Sequence, residues 1–148
     1  MLFRSGPTRI DEVIGVTKAY TTRVGNGPFP TEMLGAEGDH LRTLGNEFGA
    51  TTGRPRRCGW FDAPIVRTAT RLNGLTSIAL TRLDTLDTME HLKVCTSYRC
   101  DGEILEQFPS DPRVLEKCEP IYEEFEGWQE ATHEVRRYED LQIGRAHV

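Results

Sequence analysis

Three arginines fall within four positions of one short segment that is also rich in turn-forming residues. Arg54, Arg56 and Arg57 lie inside residues 50–60, although the formal net charge of the chain is −5. Crowded guanidinium groups are costly unless an anion lies among them, and arginine binds carboxylate or phosphate through paired hydrogen bonds. The segment therefore predicts a local anion site, and a solvated basic loop is the alternative.

The neighbours of these arginines favour a small ligand over a polymer. Thr51 and Thr52 offer hydroxyl donors, and the backbone around Gly53 can add further donors to the same anion. Pro55 stiffens the loop, which reduces the entropy lost when a small molecule is bound.

A second candidate site comes directly after a predicted strand, at Arg82, Leu83 and Asp84. A carboxylate at a strand end can accept both the ring N–H and the exocyclic amino group of guanine. Adenine would leave that acceptor unpaired, at a cost of about 1–3 kcal/mol. The flat guanidinium of Arg82 can lie along the face of the base. Taken alone, an aspartate at this position is also typical of a helix cap or a turn.

Alternating strands and helices must position these two segments. Apolar and β-branched runs predict a strand with buried side chains at 13–16 and further strands at 77–80, 92–98 and 120–122. Residues 21–30 and 49–59 are predicted to be irregular loops. Helices are predicted from a cap at Thr31, from a cap at Asp62 to Asn73-Gly74, and over 112–117, with a hairpin turn at Asp101-Gly102. This order favours an α/β fold with a mixed, partly parallel sheet and flanking helices.

Length, charge and cysteine spacing limit the class of protein. The chain has 148 residues, enough for one ordinary domain, and its acidic balance argues against general nucleic-acid binding. It has neither a long apolar run nor a signal peptide, so we expect a cytoplasmic location and no membrane partner.

Four cysteines lack the spacing of a zinc site, namely Cys58, Cys95, Cys100 and Cys118. We expect them to be reduced and mostly buried. Thiol or metal chemistry at Cys95 and Cys100 is a minor alternative.

Five runs of this sequence resemble adenylosuccinate synthetase in their order and spacing. They read VTKAYTTRVG from Val16, GPFPTE from Gly27, NEFG before TTGRPRRCGW, LTRLD from Leu80, and PIYE before GW. The resemblance spans nearly all of residues 10–141 and covers only the later part of a full-length enzyme. It implies the C-terminal part of a P-loop-like, nucleotide-dependent ligase fold, incomplete here over residues 6–141.

The resemblance implies a homodimeric ligase that uses GTP and Mg²⁺ to join IMP and L-aspartate in purine (AMP) biosynthesis. GTP would phosphorylate the 6-oxygen of IMP, and the aspartate amine would then displace phosphate. The implied aspartate-binding residues are Ala50, Thr51, Thr52, Gly53, Arg54, Pro55 and Arg56. Val24 and Arg54 would contact IMP, whereas Arg56, Arg82, Leu83 and Asp84 would contact GTP. The family usually has Lys where this chain has Arg82, and the two side chains are not equivalent beside a base.

The family's phosphate-binding glycine loop, catalytic Asp and His, and magnesium ligands match nothing in this chain. No catalytic residue and no metal ligand is therefore assigned, and we expect the 148-residue product alone to be inactive. A different class of function stays open, namely a non-catalytic module whose arginine loop binds RNA phosphates or an acidic protein patch. Steep salt dependence and indifference to aspartate would favour that module.

The two ends of the chain can be encoded by nucleotide sequences that are reverse complements of each other. AGATCGGAAGAGCAC can encode the residues around 143–147, and its reverse complement, read from a GTG start, gives residues 1–5. The string resembles a sequencing-library adapter, so residues 1–5 and 142–148 are predicted to be translated adapter. Chance agreement is the alternative, and the underlying codons decide between the two.

Overall fold

The computed structural model describes residues 9–137 and 140. Three α-helices, eight strands and a 3₁₀ helix follow one another along this part of the chain. In order they are β1 (Ile14–Lys18), β2 (Thr21–Arg23), α1 (Ala36–Leu44), β3 (Arg57–Gly59), β4 (Phe61–Asp62), α2 (Ala63–Asn73), β5 (Ser77–Thr81), a 3₁₀ helix (Leu83–Leu86), β6 (His91–Cys100), β7 (Glu103–Leu105), α3 (Pro112–Leu115) and β8 (Glu119–Glu126).

The strands pair in both directions, which confirms the predicted mixed α/β class. β1 and β5 are parallel, with Val16 opposite Ala79. β2 and β3 form a short antiparallel pair. The long strand β6 is parallel to β4 and antiparallel to both β7 and β8, so it forms the centre of a four-stranded sheet.

Helix α2 forms where local signals predict it. Asp62 caps its N-terminus by accepting a hydrogen bond of 3.2 Å from the backbone N–H of Ile65. Pro64 fits the first turn, where no helical N–H partner is required. Gly74 ends the helix in the left-handed conformation, with a φ of 59°. The strands β5, β6 and β8, the hairpin at residues 101–102 and the short α3 also lie where the sequence places them.

Two hydrophobic clusters hold the elements together. One joins Tyr20, directly before β2, to Leu41 of α1, Cys58 of β3 and Trp60, directly after β3. The other packs Tyr98 of β6 against Leu115 of α3. Cys58, Cys95, Cys100 and Cys118 are buried, free thiols within these clusters, as predicted.

Three local predictions are wrong. The apolar side chains of β1, Ile14 and Val16, are 59% and 74% exposed rather than buried, and β5 is its one partner strand among the described residues. The predicted loops at 21–30 and 49–59 contain β2 and β3, which stabilise each other across the chain. Thr31 caps no helix, since α1 begins after Gly35 and the backbone carbonyl of Thr31 instead accepts from Trp60 N at 3.0 Å.

In the part of the chain that the structure describes, no helix has the length and apolarity needed to cross a bilayer. The predicted adapter segments, 1–5 and 142–148, lie outside the described residues.

Candidate functional site

The arginine segment forms a tight loop between α1 and β3, and its own backbone closes it. Gly49 N–H donates to the carbonyl of Arg54 at 2.8 Å, and Gly53 N–H donates to the carbonyl of Gly49 at 2.8 Å. Gly53 has a φ of +64°, a conformation that favours glycine. A β-bridge between Phe48 and Pro55 joins the two sides of the loop. We call residues 48–55 the arginine-loop tip.

The tip presents donors that are not used by the described residues. Ala50, Thr51, Thr52, Arg54 and Pro55 are all exposed. The guanidinium of Arg54 has no hydrogen-bond or ion-pair partner among residues 9–137 and 140. A cation and two hydroxyls on a closed, exposed loop can therefore meet an anion without first breaking an internal contact.

Arg56 forms an ion pair with a buried carboxylate, that of Glu47. Its Nη1 donates to Glu47 Oε2 at 2.8 Å, and about a third of its side chain, 32%, stays exposed. Glu47 is 1% exposed and also accepts from Lys18 Nζ and Tyr20 Oη, each at 2.6 Å. Burial alone would raise the pKa of Glu47, but these three hydrogen bonds lower it, so the carboxylate is charged.

Arg57 serves the fold and not an external anion. Its Nε and Nη2 donate to the two carboxylate oxygens of Glu32 at 2.8 and 2.6 Å, and its Nη1 donates to the carbonyls of Gly25 and Gly27 at 3.2 and 2.8 Å. The guanidinium also lies 5.3 Å from the ring centroid of Phe29. The hydrogen bond from Arg57 holds the pKa of Glu32 below its usual value.

The expectation that three arginines surround one external anion is therefore wrong for Arg57. Arg56 lies directly before β3 and Arg57 is its first residue, and the two guanidinium groups reach different partners. The chain supplies its own carboxylates, Glu47 and Glu32, to the second and third arginines. Arg54 is left as the arginine without an internal partner at the described tip.

Val24 lies immediately beyond β2, in the segment that Arg57 fixes. Its side chain is 77% exposed, and the carbonyl of the next residue, Gly25, accepts from Arg57. The pairing of Arg23 with Arg57 in β2 and β3 brings this segment beside the base of the arginine loop.

The second predicted segment, Arg82 to Asp84, leaves the end of β5 and enters the 3₁₀ helix. Asp84 is exposed, and its carboxylate has no partner within the described part of the chain. Leu83 is half-buried and packs against the first hydrophobic cluster. Arg82 has a positive φ of 65°, and its guanidinium contacts the backbone carbonyl of Gly45. This contact holds one end of the guanidinium that the sequence analysis placed along the face of a base.

The two predicted segments meet at the end of α1. Arg82 contacts Gly45, and Glu47, two residues later, contacts Arg56. Beside them lies a cavity of about 670 Å³, lined mainly by apolar side chains that include Trp60, Leu83 and Trp128. Asp87 holds Trp128 there by accepting from its Nε1 at 2.7 Å.

Sequence reasoning missed Glu32, Glu47 and Asp87 as organising residues. Glu32 and Arg57 are 25 positions apart, so no local pattern pairs them. The one available signal was charge balance, since an acidic residue close to a cluster of cations is a candidate partner. No group of three or more His, Cys, Asp or Glu side chains that could hold a metal ion occurs in residues 9–137 and 140, and we assign no step to a metal.

A family model for adenylosuccinate synthetase matches residues 3–146 of this sequence. The chain belongs to the adenylosuccinate synthetase family. The relative from Geobacter metallireducens is 58% identical over 136 residues, which are 92% of this chain and 32% of that protein. The relative from Caldanaerobacter subterraneus is 59% identical over 138 residues, which are 93% of this chain and 32% of that protein.

A solved structure supports the same assignment. The fully ligated adenylosuccinate synthetase from Plasmodium falciparum has a TM-score of 0.89 to this chain at 38% identity, over 95% of this chain and 34% of that one. The chain thus spans about a third of the length of the synthetases that it matches.

Proposed function

We propose that this chain forms part of an adenylosuccinate synthetase, which joins IMP and L-aspartate and consumes GTP. The observation that carries the proposal is a pair of charged groups, Arg54 and Asp84, on two segments that meet at the end of α1; neither group has a partner among residues 9–137 and 140. Arg54 is a cation on the arginine-loop tip, whose hydroxyl and backbone donors can bind a dicarboxylate. The other is an exposed carboxylate after a strand, which can accept from the N–H groups of guanine.

The arginine-loop tip is the proposed aspartate site. The hydroxyls of Thr51 and Thr52 and the backbone near Gly53 donate to the carboxylates of the amino acid. Ala50 and Pro55 complete the loop that presents these donors. Arg54 bridges aspartate and IMP, and the exposed Val24 packs beside the ribose of IMP. Binding is favourable because these donors need not leave an internal acceptor.

The half-exposed Arg56 is the proposed contact to GTP, where its positive charge stabilises the transferring phosphoryl group. Asp84 reads guanine by accepting from the ring N–H and the amino group. Leu83 supports this segment from the core side. Arg82 stays part of the proposed GTP site through its place beside Asp84, with its contact to Gly45 fixing the backbone there.

Membership of the family supports a proposal for the location, assembly and metal of the enzyme. We propose a cytoplasmic homodimer with Mg²⁺ held by residues outside those described. The 148-residue chain alone is expected to be inactive, because it spans about a third of the matched synthetases and carries none of the family's phosphate-loop or acid–base residues.

A hybrid enzyme tests the proposal. In it, the matched residues of this chain replace their counterparts in the Geobacter metallireducens synthetase. We expect the purified hybrid to form adenylosuccinate from IMP, aspartate and GTP. The variant Asp84→Asn should relax the preference for GTP over ITP and XTP, whereas the matched surface variant Asp101→Asn should not. Unchanged nucleotide selectivity in Asp84→Asn would refute the guanine-reading role. A folded, inactive hybrid whose segment binds anions with steep salt dependence would favour the phosphate-binding module instead.

A further inference from the structure

Glu47 is a buried carboxylate that no step of the proposed reaction uses. It lies directly before the arginine-loop tip, and 1% of its surface is exposed. A buried charge is costly unless it is paired and hydrogen-bonded. Glu47 meets this condition, because two cations and a phenol donate hydrogen bonds to its carboxylate.

The two oxygens of this carboxylate have different partners. Oε1 accepts from Lys18 Nζ and Tyr20 Oη, each at 2.6 Å, which anchors the carboxylate to β1 and the residue before β2. Within the described part of the chain, Oε2 accepts from Arg56 Nη1 alone, at 2.8 Å. One oxygen therefore fixes the carboxylate to the core, and the other fixes the guanidinium to the carboxylate.

The backbone of Glu47 acts on the same arginine. Arg56 N–H donates to the carbonyl of Glu47 at 2.9 Å, and Glu47 N–H donates to the carbonyl of Arg42 at 2.8 Å. Side chain and backbone together bring Glu47 and Arg56 side by side across the base of the tip. Because 32% of the Arg56 side chain remains exposed, the guanidinium is restrained on one side and open on the other.

We propose that Glu47 is a positioning residue, which aims Arg56 at the phosphoryl group that GTP transfers. The inference rests on the proposed function, in which Arg56 contacts GTP. A donor that is held in place before the reaction stabilises developing charge without reorganising at the moment of transfer. Loss of the Oε2 contact lets the long arginine side chain populate other rotamers, so the chemical step slows while ground-state binding of IMP is preserved.

The decisive variant is Glu47→Gln in the hybrid synthetase. We expect kcat to fall about tenfold to a hundredfold, with the KM for IMP changed less than about threefold. Tyr20→Phe is the matched control: it removes one hydrogen bond to Oε1 of the same carboxylate, carries no change of charge and leaves Oε2 on Arg56. It should keep kcat within about threefold. Equal losses in the two variants would overturn the inference.

A double-mutant cycle separates positioning from general stability. If Glu47 acts through Arg56, then Glu47→Gln should have no further effect on kcat in an Arg56→Gln background. Multiplying effects would show that Glu47 acts elsewhere. An active parent hybrid whose Glu47→Gln variant retains full kcat overturns the positioning role, whereas a folded, inactive parent hybrid overturns the proposed function.

Two further measurements keep the inference testable in every case. Glu47→Asp retains the charge but is one methylene shorter; if the Gln variant does not fold, wild-type kcat in the Asp variant overturns the inference. In the 148-residue chain itself, Glu47→Gln should accelerate exchange of the Arg56 side-chain N–H protons in an NMR spectrum, and Tyr20→Phe should not. Unchanged exchange in Glu47→Gln contradicts the hold on Arg56 whether or not the hybrid is active.

Discussion

Replacing Arg57 by lysine should destabilise the fold, although it preserves the charge. The guanidinium makes four hydrogen bonds, two to the carboxylate of Glu32 and two to the carbonyls of Gly25 and Gly27. A lysine ammonium is a single point that cannot span these acceptors in the geometry of a planar fork. The substitution Arg57→Lys thus removes several contacts without introducing a charge imbalance.

The size of the loss follows from the exposure of the pair. The side chains of Arg57 and Glu32 are 29% and 21% exposed, so their interaction lies between that of a surface pair and that of a buried one. Surface pairs contribute about 0–1 kcal/mol, and hydrogen bonds to charged groups about 1.5–3 kcal/mol. We therefore expect Arg57→Lys to lower the free energy of unfolding by about 2 kcal/mol, which corresponds to about 4–8 °C in Tm.

The assay is urea unfolding of the 148-residue chain at pH 7, followed by far-ultraviolet circular dichroism. Arg54→Lys is the matched control, because Arg54 is exposed and has no partner among the described residues. It should change the free energy of unfolding by about 0.5 kcal/mol or less. Equal losses in the two variants would refute the division of the arginines into one that supports the fold and one that stays available to a ligand.

Two further predictions concern buried groups. Tyr98 Oη donates to both oxygens of Asp62 at 2.6 Å, so Tyr98→Phe should cost about 1–3 kcal/mol at pH 7. Burial raises the pKa of Asp62, and the hydrogen bond from Tyr98 opposes that rise. The protonation of Asp62 therefore stabilises the fold fully below the pKa of Asp62 in the unfolded chain. This stabilisation is lost as the pH rises through the pKa of Asp62 in the folded chain. The variant raises the folded pKa further, and its cost should therefore shrink from pH 7 to pH 3; a cost independent of pH would contradict this. Burial also raises the pKa of the Cys95 thiol to about 12. A disulfide reagent at pH 8 should therefore label Cys95 much more slowly in the folded chain than in urea. Equal labelling rates would show that the thiol is accessible in the folded chain.

Local chemistry made much of the fold predictable. Asp62, Pro64 and Gly74 specify the beginning and end of α2 from within the helix and its flanking residues. The turn at Asp101-Gly102 likewise specifies its hairpin, since both residues have positive φ there. These two elements, whose signals lie in adjacent residues, were therefore placed correctly.

Structure that depends on distant partners was not predictable. β2 and β3 look like loops in the sequence because neither has an apolar run, and each is stabilised by pairing with the other across the chain. The split of the arginines has the same origin, since Glu32 lies 25 positions from Arg57. The type and spacing of the arginines predicted an anion site, but which of them remained available to a ligand depended on contacts that spacing does not encode.

The most direct test of the account is the kcat/KM for aspartate of the hybrid synthetase with Arg54→Gln. Arg71→Gln is the control, because Arg71 is an exposed arginine on α2, away from the arginine-loop tip. We expect Arg54→Gln to lower kcat/KM for aspartate by about tenfold or more, as for the loss of a charge-assisted hydrogen bond, and Arg71→Gln to leave it unchanged. An unaltered kcat/KM for aspartate in Arg54→Gln would contradict the assignment of this loop to aspartate.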